Sequence, residues 1–273
     1  MFLLDFFKKK DFKKVLSLDG GGVRALAAVI FLKQLEKETG RSVFDTFDFF
    51  MGVSAGGLNA LHFTINKTSA EKLEDFWTND NLAMSMQKSF WGQAIFLNSK
   101  PKYNNESRTA LLRDYFENKL IAHSDKPVSV LAYDVEKRKP RLISSYDDSN
   151  ISVISAINAT SAAPLYYPTV KIEDGSWLID GGVVANNPSL IGYNEARNYF
   201  KTSNIKVFSI GTGINSKGLD GKSSAEWGPI GWLRNDILGI LSETQYDHET
   251  LSDLLKEDYL RINSSMKEIN FSM

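Results

Sequence analysis

The chain has 273 residues, 42% hydrophobic and 24% charged, a globular composition long enough to bury a core without staples. Its 32 basic and 33 acidic residues nearly cancel, which removes the electrostatic basis for nucleic-acid binding. Zero cysteines exclude a disulfide scaffold, thiolate metal sites and cysteine nucleophiles, and the three histidines His62, His123 and His248 leave a multi-histidine metal centre little to work with.

The N-terminus is aromatic first, Met1 to Phe7, and basic only at Lys8, Lys9 and Lys10, the reverse of a secretory signal. Residues 1–14 are therefore read as an N-terminal segment, either packed or lying as an amphipathic stretch on a lipid surface. Residues 15–273 read as a single domain. Val15–Leu18 is a short apolar strand ending at Asp19, and Ala25–Glu38 a strongly apolar helix stopped by Thr39-Gly40. Phe47–Gly52 is the next strand and Ala55–Asn66 the next helix. Arg108–Leu120 is an amphipathic helix with Ser107 as its N-cap. Val128–Val135 and Arg141–Ser145 follow as strands. The uncharged stretch from Ser149 to Val170 is too polar to cross a bilayer. Trp177–Ile179 is a brief strand, Pro188–Phe200 a helix, and Val207–Ile210 and Tyr259–Ile262 are strands. This alternation is the signature of an α/β layered fold with a mostly parallel sheet, and the expected location is cytoplasmic or peripheral to a membrane.

Three glycine-rich turns carry the chemistry. Asp19-Gly20-Gly21-Gly22-Val23-Arg24 joins a strand to a helix, so its N–H groups and the helix start suit an anion or an oxyanion. Gly20 and Gly22 with Ala25 also loosely match a dinucleotide fingerprint, and simple tight packing explains the turn equally well. Gly52-Val53-Ser54-Ala55-Gly56 is the nucleophile-elbow pattern between a strand and a helix. There Ser54 is the nucleophile, Gly52 and Gly56 avoid clashes, and the Ala55 N–H helps to hold an oxyanion. Asp180-Gly181-Gly182 follows a strand end, where Asp180 either projects into a cleft or merely caps the turn. Two further patterns fail: Ser252 stands where a zinc-protease helix starting at His248 needs its second ligand, and Ser216 replaces the glycine that a phosphate loop ending in Gly221-Lys222-Ser223 requires. Gly211-Thr212-Gly213 reads as a strand-end turn.

In this order the three turns resemble the patatin-like phospholipase family. Ala162-Ala163-Pro164 before Tyr166-Tyr167-Pro168, Val207–Gly213 and Tyr259–Ile262 agree with it, so the likeness runs from about Val15 to Ile262. The resemblance implies a three-layer α/β sandwich related to cytosolic phospholipase A2, acting as a lipid acyl hydrolase through a Ser–Asp dyad. It makes Ser54 the nucleophile, Asp180 the base, Gly20, Gly21 and Gly22 the oxyanion turn and Arg24 its support. It implies a phospholipid or lysophospholipid substrate, peripheral membrane contact, and no cofactor or metal. Many members carry glycine where this chain has Ala25. Relatives also often continue with further helix beyond Tyr259–Ile262, which reads as a shortened C-terminus.

A carboxylate base at neutral pH is helped by desolvation that raises its pKa. No histidine is expected to act, since each of the three lies in a polar stretch or two helical turns from Ser54. An acyl channel is expected from two apolar connecting segments: Met84, Met86, Phe90, Trp91, Ile95, Phe96 and Leu97, and Trp227, Ile230, Trp232 and Leu233. The rival readings are an NAD(P)-dependent oxidoreductase and a catalytically silent lipid-binding module.

Overall fold

Side-chain alternation along short buried strands sets the centre of the molecule. Val15 faces one apolar layer while Leu16 and Leu18 face the other; Phe49, Met51 and Val53 likewise oppose Phe50. In the computed structural model, which describes residue 6 and residues 11–88, 100–215, 218–228, 231–232, 235, 239–240 and 246–266, these strands form one eight-stranded sheet.

The strands are β1 (Lys13–Leu18), β2 (Phe49–Val53), β3 (Val128–Asp134), β4 (Lys139–Ser144), β5 (Val170–Lys171), β6 (Trp177–Asp180), β7 (Ile205–Ile210), β8 (Ile214–Asn215), β9 (Tyr259–Ile262) and β10 (Ser265–Met266). The main sheet runs β5-β6-β3-β2-β1-β7-β9, with β4 on β3, and β8 and β10 form a separate small pair. Pairs β3-β2, β2-β1, β1-β7 and β7-β9 are parallel, whereas β4, β5 and β6 pair antiparallel. The fold is α/β with a mixed, mostly parallel sheet, as the alternation implied.

The longer helices are α1 (Leu26–Thr39), α2 (Ala55–Ile65), α3 (Asn79–Ser85), α4 (Glu106–Phe116), α5 (Val153–Thr160), α6 (Ser189–Phe200) and α7 (Tyr246–Leu255). Residues of α1, α2, α4 and α5 cover one face of the sheet, and residues of α6 and α7 cover the other. Every residue of α2 is buried, which makes it the central helix of its layer. Phe6 is also buried, its ring 6.1 Å from that of Phe208.

Register explains how distant residues meet. β4 lines one edge of β3 over Ser129–Asp134, so β2 and β6 must share the other edge. β2 runs up it to the pair Val53–Leu131, and β6 runs down it to the pair Asp180–Ala132. Their C-terminal ends therefore meet head to head, bringing Ser54, the next residue after β2, against Asp180. The parallel strands β1 and β7 end on the same side of the sheet, where ligand sites of open α/β sheets gather.

Two sequence expectations shift. Helix α4 starts at Glu106, not at Arg108, because Asn104 Oδ1 accepts the Ser107 N–H at 3.3 Å, so Ser107 lies inside the first turn rather than capping it. It also stops at Phe116, since Glu117 turns to a φ of 52°. The polar stretch from Ser149 contains α5, whose N-cap Ser152 accepts the Ser155 N–H at 3.0 Å. Among the described residues, no helix is long and apolar enough to cross a membrane.

Candidate active site

Ser54 occupies the N-cap position of α2, where a serine normally turns its oxygen back onto a helix N–H. It makes no such bond. Its backbone is held at φ 53°, ψ −128°, a conformation costly for a residue with a Cβ, and its N–H donates to Thr160 Oγ1 at 3.0 Å. Thr160 in turn donates to the Leu131 carbonyl, so the elbow hangs from β3 through one buried hydroxyl. The strained turn is affordable because Gly56 packs directly on the end of β1: a Cβ there would lie 2.3 Å from the Leu18 carbonyl oxygen. A Cβ on Gly52 would meet the Gly56 carbonyl at 2.6 Å.

The Ser54 side chain lies against Asp180 instead, near enough to lower the pKa of its carboxyl. Asp180 is 6% exposed, and its Oδ1 accepts the Gly182 N–H at 2.7 Å. Of the two readings of Asp180 the structure shows the turn cap, at Gly181–Val183, with the carboxyl buried beside Ser54 rather than lining the cavity. Burial pushes its carboxyl up to about 6, against the lowering pull of the Gly182 N–H, the Ser54 side chain and the Arg108 charge. Gly181 packs on the Leu131 carbonyl, so this turn and the serine elbow rest on the same residue of β3.

The glycine turn after β1 divides its duties. The Gly20 N–H is committed to the Asn186 carbonyl at 3.0 Å, and the Gly20 carbonyl accepts from Thr212 Oγ1 at 2.7 Å and from Asn186 Nδ2 at 3.2 Å. Gly20 therefore anchors the turn, contrary to the expectation that all three glycines donate to an oxyanion. Gly21 and Gly22, and Ala55 in the first turn of α2, precede the first hydrogen bonds of their helical turns. All three line the same cavity as Ser54. Gly22 adopts a φ of +54°, which glycine reaches without the steric cost that a Cβ adds. Asp19 heads the turn and is buried against the Arg261 guanidinium; burial still raises its carboxyl to about 6.

A cavity of about 410 Å³ opens over Ser54, Ala55, Gly21, Gly22 and Arg24. Its apolar wall comes from Leu58, Phe76, Trp77, Leu82, Met86, Leu111 and Leu112, with Tyr103, Tyr166 and Tyr167 opposite. Of the expected channel residues, Met86 lines it, whereas Met84 is exposed, and Trp227 and Trp232 pack edge-on against each other. Phe90, Trp91, Ile95, Phe96, Leu97, Ile230 and Leu233 lie outside the described residues. Among the described residues lining the cavity, Arg24, Lys102 and Arg108 are cationic and none is a carboxylate.

Each histidine is engaged away from the serine. His62 is enclosed by the rings of Phe76, Tyr115 and Phe116, and burial lowers its pKa to about 3. His123 Nδ1 accepts the Leu120 N–H at 3.2 Å. His248 Nδ1 lies 3.3 Å from the Tyr259 hydroxyl, with burial lowering its pKa. The roles of Thr160, Asn186, Thr212 and Arg108 are not marked in the sequence; Asn186 and Thr212 stand within glycine-rich turns that mark their positions alone.

A family model described as patatin-like phospholipase matches residues 16–191. Patatin-like protein 2 of Arabidopsis thaliana is 30% identical over 85% of this chain and 69% of its own length. Patatin-like protein 4 of the same plant is 29% identical over 92% of this chain and 75% of its own. A cGAMP-activated phospholipase of Vibrio cholerae is 28% identical over 91% of this chain and 78% of its own. Among solved structures, VipD from Legionella pneumophila superposes with a TM-score of 0.51 at 12% identity, over 97% of this chain and 63% of that one, a likeness of fold alone.

Proposed function

Because this chain belongs to the patatin-like phospholipase family, a family of serine lipid acyl hydrolases, we propose that it cleaves fatty-acyl esters of phospholipids or lysophospholipids through a Ser54–Asp180 dyad and a covalent acyl-enzyme. The observation that carries this reading is the Ser54 hydroxyl, freed from capping its own helix and set against a desolvated Asp180 beside an apolar cavity.

Asp180 takes the hydroxyl proton as Ser54 Oγ attacks the ester carbonyl carbon. The negative charge passes to the carbonyl oxygen, where the N–H groups of Gly21, Gly22 and Ala55 stabilise it. Collapse breaks the bond to the leaving alcohol, which receives the proton from Asp180. Water then attacks the acyl-Ser54 ester while Asp180 accepts its proton, and that proton returns to Ser54 as the fatty acid leaves. A carboxyl near pKa 6 is a stronger base than an ordinary aspartate yet remains ionised at pH 7. The aromatic and aliphatic wall suits an acyl chain, and the cations Arg24 and Lys102 in a lining without a carboxylate suit an anionic head group. Exposed Tyr166 at the cavity, with its exposed neighbour Leu165, supports peripheral contact with a lipid surface.

Fatty-acid release from defined phosphatidylcholine, phosphatidylglycerol, their lyso forms and a neutral diacylglycerol tests the proposal. Release from the phospholipids by wild type and none by a folded Ser54→Ala variant is expected. Binding of these lipids without release would make the chain a silent lipid-binding module.

A further inference from the structure

We propose that Arg108 is a positioning residue for the dyad: it clamps a segment that braces both Ser54 and Asp180, and it keeps a fixed positive charge toward the Asp180 carboxyl. This rests on the dyad reading above.

The segment is residues 158–162. Thr160 Oγ1 accepts the Ser54 N–H at 3.0 Å, and the Ala162 carbonyl accepts the Asp180 N–H at 3.0 Å. A shift of these five residues therefore moves the backbones of both partners. Arg108 reaches this segment from α4. Its Nε donates to Asn158 Oδ1 at 2.9 Å, and Nη1 to the Ser161 carbonyl and hydroxyl, both at 3.2 Å. Its Nη2 donates to the Asn158 carbonyl at 3.4 Å and to Asn105 Oδ1 at 2.9 Å. The carbonyls lie at the C-terminal end of α5, where helix acceptors lack partners and a cation is favoured.

All five acceptors are neutral, and among the described residues no carboxylate lies within ion-pair distance of this buried guanidinium. A core selected for stability alone avoids such a charge. Tyr167 acts on it most strongly, with its ring centre 4.0 Å from Cζ, and the Asp180 carboxyl acts on it next. Asp180 itself is faced by the Ser54 hydroxyl, the Gly182 N–H and Arg108. Arg24 and Lys102 are the other cations of the cavity. When Ser54 attacks, the negative charge leaves Asp180 for the carbonyl oxygen, and the Arg108 charge stays in place without reorganisation. Lysine would keep the charge but not the planar fork. Glutamine would keep polarity but not the charge.

The test is the rate at which a fluorophosphonate labels Ser54 across about pH 5–9, which follows ionisation of the base without full turnover. Wild type, Arg108→Gln, Arg108→Lys and Ser161→Ala are compared, each checked by thermal melting. The acidic limb is expected to move up by about one pH unit in Arg108→Gln and to stay in place in the other two. Arg108→Lys is expected to label about tenfold more slowly through misplacement, with a smaller slowing in Ser161→Ala. An unmoved limb in folded Arg108→Gln overturns the electrostatic role. If that variant does not fold, wild-type labelling rates in both Arg108→Lys and Ser161→Ala overturn the clamp. Absence of labelling in wild type would refute the dyad reading itself, not Arg108's part in it.

Discussion

Arg261 closes on Asp19 across 242 residues of chain, with Nη2 2.5 Å from Oδ2 and Nη1 3.1 Å from Oδ1. Nη1 also donates to Ser209 Oγ at 2.6 Å, and the Asp19 N–H donates to the Ile210 carbonyl at 3.1 Å. The head of the glycine turn is thus held by β1, β7 and β9 together. Removing one partner leaves a buried charge uncompensated, so Arg261→Met should cost about 3–5 kcal/mol in urea unfolding. Adding Asp19→Asn should recover part of that loss. A cost below about 1 kcal/mol would mean that the turn is held by other contacts.

Activity and stability should respond to pH with opposite signs at Asp180. Its carboxyl is raised from 3.8 to about 6, so the base ionises, and kcat/KM rises, as pH increases through about 6. The fold, by contrast, prefers the protonated carboxyl. That contribution is fully present below the unfolded value of 3.8 and is lost as pH rises through about 6. Asp180→Asn should therefore be nearly as inactive as Ser54→Ala yet about 1–3 kcal/mol more stable at pH 7. An active Asp180→Asn enzyme would remove Asp180 from the chemistry.

Two glycines separate crowding from aim. A Cβ on Gly56 would lie 2.3 Å from the Leu18 carbonyl oxygen and 2.5 Å from that of Asp19, so Gly56→Ala must push α2 off the end of β1. A stability loss of about 1–3 kcal/mol and a large loss of kcat are expected. A Cβ on Gly22 meets nothing within 4 Å, but its φ of +54° disfavours alanine by about 1–2 kcal/mol. Gly22→Ala should fold and lose kcat with KM nearly unchanged; a pure KM effect would move Gly22 from oxyanion stabilisation to binding.

Histidines and divalent metals should be dispensable for turnover. Folded His62→Leu, His123→Gln and His248→Gln should keep most activity, and activity in EDTA should equal that in calcium. His62, lowered from 6.5 to about 3, contributes stability that is present above 6.5 and lost as pH falls toward 3. His62→Leu should therefore flatten acid unfolding in that window. A collapse of kcat in folded His248→Gln would restore a triad.

Much of this site is legible in the chain because its chemistry needs unusual backbone. Gly52, Gly56, Gly22 and Gly181 mark close approaches or a positive φ, and glycine leaves few other reasons for its presence. The strands were equally visible, since Phe49, Met51 and Val53 alternate against Phe50. The braces were not. Thr160 and Asn186 act through hydrogen bonds to partners 106 and 166 residues away, and a threonine or asparagine carries no local sign of that. Arg108 sits on an amphipathic helix whose pattern assigns arginine to solvent, yet its fork turns inward to α5. The apolar wall of the cavity is drawn from α2, from Phe76 to Met86, from α4 and from tyrosines on either side of α5, a long-range assembly that no single apolar segment announces.

The most direct test of the account is to trap the covalent intermediate. Wild-type protein mixed with a lysophospholipid of known acyl chain is quenched in acid within the first turnovers, digested, and read by mass spectrometry. The account predicts that the peptide containing Ser54 gains the mass of that acyl group, and that folded Ser54→Ala gains none and releases no fatty acid. Fatty-acid release by folded Ser54→Ala at the wild-type rate would contradict it.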